Sequence, residues 1–236
     1  MRELWSTSPK AYSAIASIHE LANKEFCGSR DARIQQCAAL FDRAAAISPE
    51  AGVALYSLGN ERLLERATRE LVALMSRWNL FDAAADVLDL GCGSGRCLEA
   101  LAPLVHSATG IDISAAMLRM ATRRVARFVN VSLVRGTGLD LSVVADRRFR
   151  LIIAVDSFPY LVATGVAENH MRDCSELLLP GGKLLILNFS YRESLALDRA
   201  DIAASSRQYG LAVMCNGTRD LELWDGATFL VERPPR

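Results

Sequence analysis

The apolar positions of the first 80 residues recur every three or four residues, which is the spacing of amphipathic helices. A first helix is predicted between Ser8-Pro9 and Gly28, and a second from about Asp31 to Ile47. A third is predicted to begin at Asn60, a residue type that caps helix N-termini, and to run through ERLLERATRELVALMSRW. Residues 1–80, which contain these helices, are predicted to form an N-terminal cap or lid.

From Asp86 onward the pattern changes to short apolar runs that alternate with amphipathic segments. Such alternation predicts a parallel sheet with helices on both faces. Helices are predicted for RCLEALAPL, for SAAMLRMATRRVARF with Ser114 as its cap, and from about Gly165 to Leu179. The predicted strands are DVLDL, ATGIDI, VSLVRG, FRLIIAVD and KLLILNF.

The C-terminal segment has a different pattern. A helix is predicted from about Arg199 to Tyr209, and Asp225-Gly226 separates two strand-like runs, which is a hairpin signal. The predicted fold class is therefore α/β, a doubly wound and mostly parallel sheet over residues 81–236 that ends in an antiparallel strand. We expect this domain and the helical cap to form one compact unit.

Composition narrows the classes of function. Hydrophobic residues make up 51% of the chain, and 27 basic residues balance 27 acidic ones. This balance leaves no electrostatic footprint for nucleic acid or an anionic membrane. The six cysteines include no C-x-x-C pair, so neither a disulfide framework nor a metal site is predicted. With no secretory signal and no apolar run of membrane-spanning length, we expect a cytoplasmic protein without a membrane partner.

The segment VLDLGCGSG, from Val87 to Gly95, combines a strand, a glycine turn and the start of a helix. This order suits a nucleotide-type ligand above the turn. Asp89 lies two residues before the first glycine, where it would repel a pyrophosphate and attract a cation. Asp112 ends the second strand, where a carboxylate can accept hydrogen bonds from both hydroxyls of a ribose. A ribose together with a cationic group indicates S-adenosylmethionine.

The segments VLDLGCGSGR, GIDIS, FRLIIAVD and LLLPGGKLLILNF resemble, in order and spacing, the class I S-adenosylmethionine-dependent methyltransferases. The resemblance extends from about Ala85 to Glu232 and implies a Rossmann-like fold. Two positions depart from the family pattern, since Gly136-Thr137 replaces Gly-Asp and Phe149-Arg150 replaces Phe-Asp. The cofactor-binding residues that the resemblance implies are Asp89, Gly91, Cys92, Gly93, Gly95, Asp112, Ile113, Met117, Gly138, Leu139 and Val155.

The stretch AVDSFPYL ends the fourth strand, where the D-P-P-Y boxes of base-amino methyltransferases lie. Here it contains one residue more and one proline fewer, so it is interpreted as an active-site rim and not as a nucleic-acid signature. Asp156 is the candidate catalytic residue, either orienting an amine or accepting a proton from a hydroxyl. Contact with the cofactor or with the following turn is an equal alternative. The candidate substrate residues are Tyr56, Tyr160, Tyr191 and Arg192.

The sequence thus predicts an enzyme that uses S-adenosylmethionine to methylate an oxygen or nitrogen atom of a small molecule. A nucleic-acid (RNA) methyltransferase and a non-catalytic S-adenosylmethionine-binding module on the same fold are alternatives. An NAD-linked oxidoreductase is disfavoured by Asp89 and by Arg96, which replaces the last glycine of G-x-G-x-x-G.

Overall fold

A computed structural model of the protein describes residues 26–47, 60–224 and 226–235. Within this part of the chain the sheet has the strand order β3-β2-β1-β4-β5-β7-β6. The first five strands are parallel, and β7 is antiparallel to both β5 and β6. The mostly parallel sheet with an antiparallel C-terminal strand is therefore confirmed. The strands are β1 (Asp86–Leu90), β2 (Ser107–Asp112), β3 (Val131–Arg135), β4 (Phe149–Val155), β5 (Leu178–Leu187), β6 (Ala212–Thr218) and β7 (Thr228–Glu232).

Helices cover both faces of the sheet, as the alternating pattern predicts. Along β1, the side chain of Val87 joins one buried cluster, whereas Leu88 and Leu90 join the other. The described helices are α1 (Arg30–Ile47), α2 (Glu61–Arg77), α3 (Arg96–Leu101), α4 (Ala115–Val125), α5 (Phe158–Thr164), α6 (Ala167–Leu177) and α7 (Leu195–Gln208). The cluster with Val87 includes residues of α2, α3 and α4, and the opposite cluster includes residues of α5, α6 and α7.

Two helix starts follow directly from capping residues. The side chain of Asn60 accepts a hydrogen bond from the backbone N–H of Leu63 at the start of α2. Ser114 does the same for Met117 at the start of α4. Both helices thus begin where the sequence predicts.

Helix α1 is fastened to the sheet domain through Asp42. Its Oδ1 accepts hydrogen bonds from Ser114 Oγ at 2.6 Å and from the Ala116 backbone N–H at 2.9 Å. Asp42 therefore supplies a second cap for the first turn of α4, from a distant part of the chain. The division into a cap of residues 1–80 and a domain of residues 81–236 stays a prediction.

The helix predicted from about Gly165 to Leu179 is confirmed as α6, but the sequence did not predict the short helix α5 before it. Helix α5 precedes it with Pro159 in its first turn and ends at Gly165, whose φ of 77° lies in the left-handed region. A left-handed glycine closes a helix because no Cβ opposes that conformation. Helix α6 begins only at Ala167, and β5 begins at Leu178.

The antiparallel strands predicted on either side of Asp225-Gly226 are confirmed, with a connection that is longer than a tight turn. Strands β6 and β7 do pair antiparallel, but residues 219–227 connect them, a longer connection than a two-residue turn. A helix distant in sequence contacts the backbone of this connection, because the Glu70 carboxylate of α2 accepts hydrogen bonds from the N–H groups of Glu222 and Leu223. Asp225 itself lies outside the described residues, as does the predicted first helix up to residue 25.

None of the described helices is both long enough and apolar enough to cross a bilayer.

Candidate functional site

A cavity of about 450 Å³ opens at the carboxyl ends of β1, β2, β4 and β5. Its volume falls within the range of small-molecule sites, and its place at the strand ends is the usual one for open α/β sheets. Most residues predicted for the site line this one cavity. They are Asp89, Gly91, Cys92, Gly93, Asp112, Ile113, Met117, Gly138, Val155, Asp156, Tyr160 and Tyr191.

The glycine loop after β1 is anchored to β2 by its backbone. The N–H groups of Gly91 and Cys92 both donate to the carbonyl oxygen of Ile111, at 2.8 and 2.9 Å. Gly91 and Gly93 have φ values of 75° and 52°, in the left-handed region that favours glycine. A Cβ on Gly91 would lie 2.4 Å from the Ser157 Cβ, so this turn also needs glycine for space.

Asp112 links the end of β2 to the glycine loop. Its Oδ2 accepts a hydrogen bond from the Gly93 N–H and its Oδ1 one from the Ser114 N–H, both at 2.8 Å. Burial raises the pKa of this carboxyl group, and the two backbone donors oppose the rise. Each carboxylate oxygen keeps acceptor capacity after one hydrogen bond, so Asp112 can still bind hydroxyl groups in the cavity.

Asp89 is a buried acid in the wall of the cavity, with 2% of its surface exposed. Burial raises its pKa to about 7, while the nearby Arg96 guanidinium group acts in the opposite direction. Arg96 also lines the cavity and donates a 2.9 Å hydrogen bond to Thr68 Oγ1 of α2. Near neutral pH, the charge of Asp89 therefore depends on what occupies the cavity.

Asp156 and Asn188 follow the ends of the neighbouring parallel strands β4 and β5. Asn188 Nδ2 donates a 2.8 Å hydrogen bond to Asp156 Oδ1, and the Tyr191 hydroxyl group lies 3.4 Å from the same oxygen. Desolvation of its carboxyl group raises the pKa of Asp156 to about 6, and the Asn188 amide and Arg96 oppose the rise. This acid therefore titrates close to neutral pH, as a proton-transfer group should.

Aromatic rings form one wall of the cavity. Phe41 of α1 packs edge-on against Tyr160 with ring centroids 4.7 Å apart, and Tyr160 packs edge-on against Tyr191 at 5.8 Å. Trp224, from the connection between β6 and β7, also lines the cavity. These rings surround the region next to Asp156 and suit a ligand with an apolar ring.

The structure does not bring every predicted residue into the cavity. Gly95 lies outside its lining and packs against α4, where an added Cβ would meet the Ala121 Cβ at 3.1 Å. Leu139 is also outside, and its carbonyl oxygen accepts a hydrogen bond from Asn169. Tyr56 lies outside the described residues.

Arg192 is likewise absent from the cavity lining. Its guanidinium group forms ion pairs of 2.7 Å with Asp198 and with Asp201 of α7. Its Nε also donates to Ser190 Oγ at 3.0 Å. These contacts fix the loop after β5, which carries Tyr191, and they leave the charge of Arg192 compensated.

One helix face that lines the cavity was missing from the sequence-based site. Residues Ile34, Cys37, Phe41 and Ala44 of α1 all line it. Their spacing of three, four and three residues places them on one face of the helix, so the sequence pattern does indicate that they act together. Nothing in the local sequence indicated that this face covers a ligand site and not only the sheet.

The strand order, the glycine loop after β1 and the carboxylate after β2 form a Rossmann-like fold. The sequence profile of the family described as "Methyltransferase domain" matches residues 87–182. This segment of the chain is therefore similar to a methyltransferase domain.

Curated relatives match over part of their length. The chain is 35% identical over 109 residues to the demethylmenaquinone methyltransferase of Tropheryma whipplei (strain Twist), covering 46% of this chain and 44% of that protein. It is 29% identical over 145 residues to the 2-phytyl-1,4-naphtoquinone methyltransferase of Thermosynechococcus vestitus, covering 57% of this chain and 63% of that protein. The chain therefore matches less than two thirds of either relative.

Solved structures share the fold. The magnesium protoporphyrin IX methyltransferase of Synechocystis PCC 6803, with bound S-adenosylmethionine, aligns with a TM-score of 0.53 at 18% identity. The alignment covers 72% of this chain and 80% of that one.

Proposed function

We propose that the protein is a methyltransferase that transfers a methyl group from S-adenosylmethionine to an oxygen or nitrogen atom of a small molecule. One observation carries the proposal. A single cavity joins the glycine loop and Asp112 at one end to Asp156 and Tyr160 at the other. A cofactor and an acceptor can therefore meet in it.

The residues present fit S-adenosylmethionine. Burial disfavours the charged form of Asp89, and the nearby guanidinium group of Arg96 favours it. A cationic ligand in the cavity would stabilise the charged carboxylate further. Asp112 keeps acceptor capacity for ribose hydroxyls, and the side chains of Ile113 and Met117 offer apolar surface for the adenine or ribose. The chemistry of this donor set matches a ribose, a planar ring and a positive charge.

We assign the binding roles accordingly. Asp112 holds the ribose hydroxyls, with Ile113, Met117 and Gly138 beside the ribose and adenine. The methionine end lies against Asp89, Gly91, Cys92, Gly93 and Val155. Gly95 is proposed to act by allowing the loop to pack against α4, and Leu139 is left out of the contact set.

When bound, the cofactor supplies an electrophilic methyl group, and the electron pair of the breaking carbon–sulfur bond stays on the sulfur. The chain's own task is to orient the acceptor and to exclude water. Correct placement of two reactants is worth roughly 7–11 kcal/mol of the barrier. Asp156 is proposed to accept the proton that the acceptor's O–H or N–H group gives up, while the acceptor keeps the electron pair.

The acceptor is proposed to be a small molecule with an apolar ring. The aromatic wall of Phe41, Tyr160 and Tyr191, together with Trp224, supports this class. The names of the curated relatives, which are quinone methyltransferases, point in the same direction. Tyr160 and Tyr191 are the proposed substrate contacts, Tyr56 stays a candidate, and the ion-paired Arg192 is left out.

Residues 1–80 are proposed to act as a helical cap over the acceptor. The support comes from α1, which lines the cavity through Ile34, Cys37 and Phe41 and is fastened to α4 through Asp42.

Calorimetric titration with S-adenosylhomocysteine tests the proposal, with NAD as the competing ligand. We expect micromolar binding of S-adenosylhomocysteine, no comparable binding of NAD, and loss of binding in Asp112→Ala. Because Asp112 also holds the glycine loop, Asp112→Asn and a circular dichroism spectrum control for misfolding. A folded wild-type protein that binds neither S-adenosylhomocysteine nor S-adenosylmethionine would refute the proposal.

A further inference from the structure

Asp156 and Asn188 share an uncommon backbone conformation. Their φ values are 57° and 61°, and the only other non-glycine residue with positive φ in the described part of the chain is Asn79, at 50°. A non-glycine residue in this region costs of the order of 1 kcal/mol or more and persists only where surrounding contacts enforce it. Two of the three such residues lie side by side in the lining of the cavity.

Backbone hydrogen bonds enforce both conformations. The Asp156 N–H donates to the Leu187 carbonyl oxygen at 3.0 Å, which ties the end of β4 to the end of β5. The Asn188 N–H donates to the Ala227 carbonyl oxygen at 2.8 Å, which ties the end of β5 to the residue before β7. Three strands thus converge on this pair.

The Asn188 side chain has one orientation that satisfies its surroundings. Its Oδ1 accepts a 3.1 Å hydrogen bond from the Ala227 N–H, so its Nδ2 must face the opposite way, toward Asp156. Asn188 Nδ2 and the Tyr191 hydroxyl group both reach Asp156 at Oδ1. The amide thereby orients the carboxylate at the wall of the cavity.

We propose that Asn188 is a positioning residue, which orients the Asp156 carboxylate and sets the pH at which it ionises. This inference rests on the proposed function for its use in catalysis, but its geometry stands apart from any ligand. Asn188 does not touch the reacting atoms in this scheme; it acts through Asp156. The hydrogen bond from its amide favours the charged form of the carboxylate and opposes the effect of burial.

Other groups face Asp156 and must be held constant in a test. They are Arg96 and Cys97 of α3, Tyr160 of α5 and Tyr191 after β5. Substituting Asn188 alone leaves all four groups in place. A change in the titration midpoint of Asp156 is therefore attributed to loss of the Asn188 amide.

The test is a ¹³C NMR titration of the aspartate carboxyl carbons in the wild-type protein and in Asn188→Gly, with Asp156→Asn to assign the signal. Glycine permits positive φ, so the variant removes the amide without the backbone cost. We expect the midpoint of Asp156 to rise by about one pH unit, since a charge-assisted hydrogen bond is lost. Asn79→Gly is the matched control, a left-handed asparagine outside the cavity, and should leave the midpoint unchanged.

A second measurement needs no substitution of Asn188. In wild-type protein, the Nδ2 protons of Asn188 should shift with the same midpoint as the Asp156 carboxyl carbon. An unchanged Asp156 midpoint in folded Asn188→Gly, or Nδ2 protons that do not follow Asp156, would overturn the inference. Binding of S-adenosylhomocysteine by the same samples is scored separately, so its absence would count against the proposed function and not against this role of Asn188.

Discussion

Asn188 Nδ2 and Asp156 Oδ1 are 2.8 Å apart, and this hydrogen bond joins the ends of two adjacent parallel strands at the wall of the cavity. It partly compensates a desolvated carboxylate whose backbone is also in the left-handed region. Both features cost stability, because an isolated desolvated charge and a non-glycine residue with positive φ are unfavourable. The site thus retains an acid at a position where a neutral residue would be more stable.

Asp156→Asn is expected to stabilise the protein and to impair methyl transfer. The folded-state pKa of about 6 lies above the ordinary value of 3.8, so the ionised aspartate destabilises the fold. This penalty is absent well below pH 3.8, grows between pH 3.8 and about 6, and is fully present at pH 8. At pH 8 we expect the variant to gain roughly 1–3 kcal/mol, a rise in Tm on the order of 5 °C.

Thermal unfolding at pH 4 to 8 measures this difference. The exposed Asp146→Asn serves as a control and should change Tm by little at any pH. A variant that is less stable than wild type at pH 8, or whose turnover is unchanged on an identified acceptor, would contradict the assignment.

The sequence predicted β1 to β4 closely because each is a short apolar run, whereas β5 begins at Leu178, ahead of the predicted KLLILNF. DVLDL is β1, and Asp112 stands at the end of β2 as expected. The pairing of Asp156 with Asn188 was not predictable, since it depends on β4 and β5 being neighbours and on the conformation that ends each strand. Local sequence carries neither fact.

Trp224 shows a second limit of prediction. It lines the cavity, and the N–H groups of the two preceding residues donate to the carboxylate of Glu70, far away in the chain. A long-range contact between a helix side chain and loop N–H groups leaves no periodic signal in either segment. The Asp225-Gly226 pair suggested a tight turn, and tertiary contacts determined a longer connection instead.

Binding of S-adenosylmethionine is expected to depend on the ionisation of Asp89. Because its pKa in the free protein is about 7, a cationic ligand that requires the carboxylate should release a proton on binding at neutral pH. Affinity should rise roughly tenfold between pH 5.5 and 7.0, as expected for one group of this pKa. Calorimetry in two buffers of different ionisation enthalpy measures both the affinity and the released proton.

Asp89→Asn is the matched variant for that experiment. It should bind more weakly at pH 7 and show a flatter pH dependence, with less proton release. If the wild-type affinity is constant over this pH range, Asp89 does not exchange its proton on binding and its proposed contact with the methionine end fails.

Gly91→Ala is expected to damage the glycine loop through a steric clash as well as through φ. An added Cβ would lie 2.4 Å from the Ser157 Cβ, and φ is 75°. Gly210 provides a matched control, because its φ is 67° but nothing lies within 4 Å of an added Cβ. Chemical denaturation should show Gly91→Ala to be less stable than Gly210→Ala by roughly 1–3 kcal/mol.

A second-site substitution separates the clash from other causes. Ser157→Gly removes the clashing Cβ, so the double variant should recover part of the stability lost in Gly91→Ala. The Kd for S-adenosylhomocysteine should increase at least about tenfold in Gly91→Ala, whereas Gly210→Ala should bind normally. Equal stability losses in the two single variants would show that φ alone explains the glycine at position 91.

Glu70→Ala is expected to loosen the connection that carries Trp224. The carboxylate accepts hydrogen bonds from the N–H groups of Glu222 and Leu223, and its loss leaves both donors without that partner. We expect a loss of about 1–2 kcal/mol in unfolding free energy and faster hydrogen exchange in residues 222–224. Because Trp224 lines the cavity, the KM for an acceptor should rise more than kcat falls.

Glu65→Ala, on the same helix, is the control, since its 3.8 Å ion pair with Arg69 is exposed and contributes little. Unchanged exchange at Leu223 in Glu70→Ala would show that the connection, and Trp224 with it, keeps its position without the hydrogen bonds to Glu70.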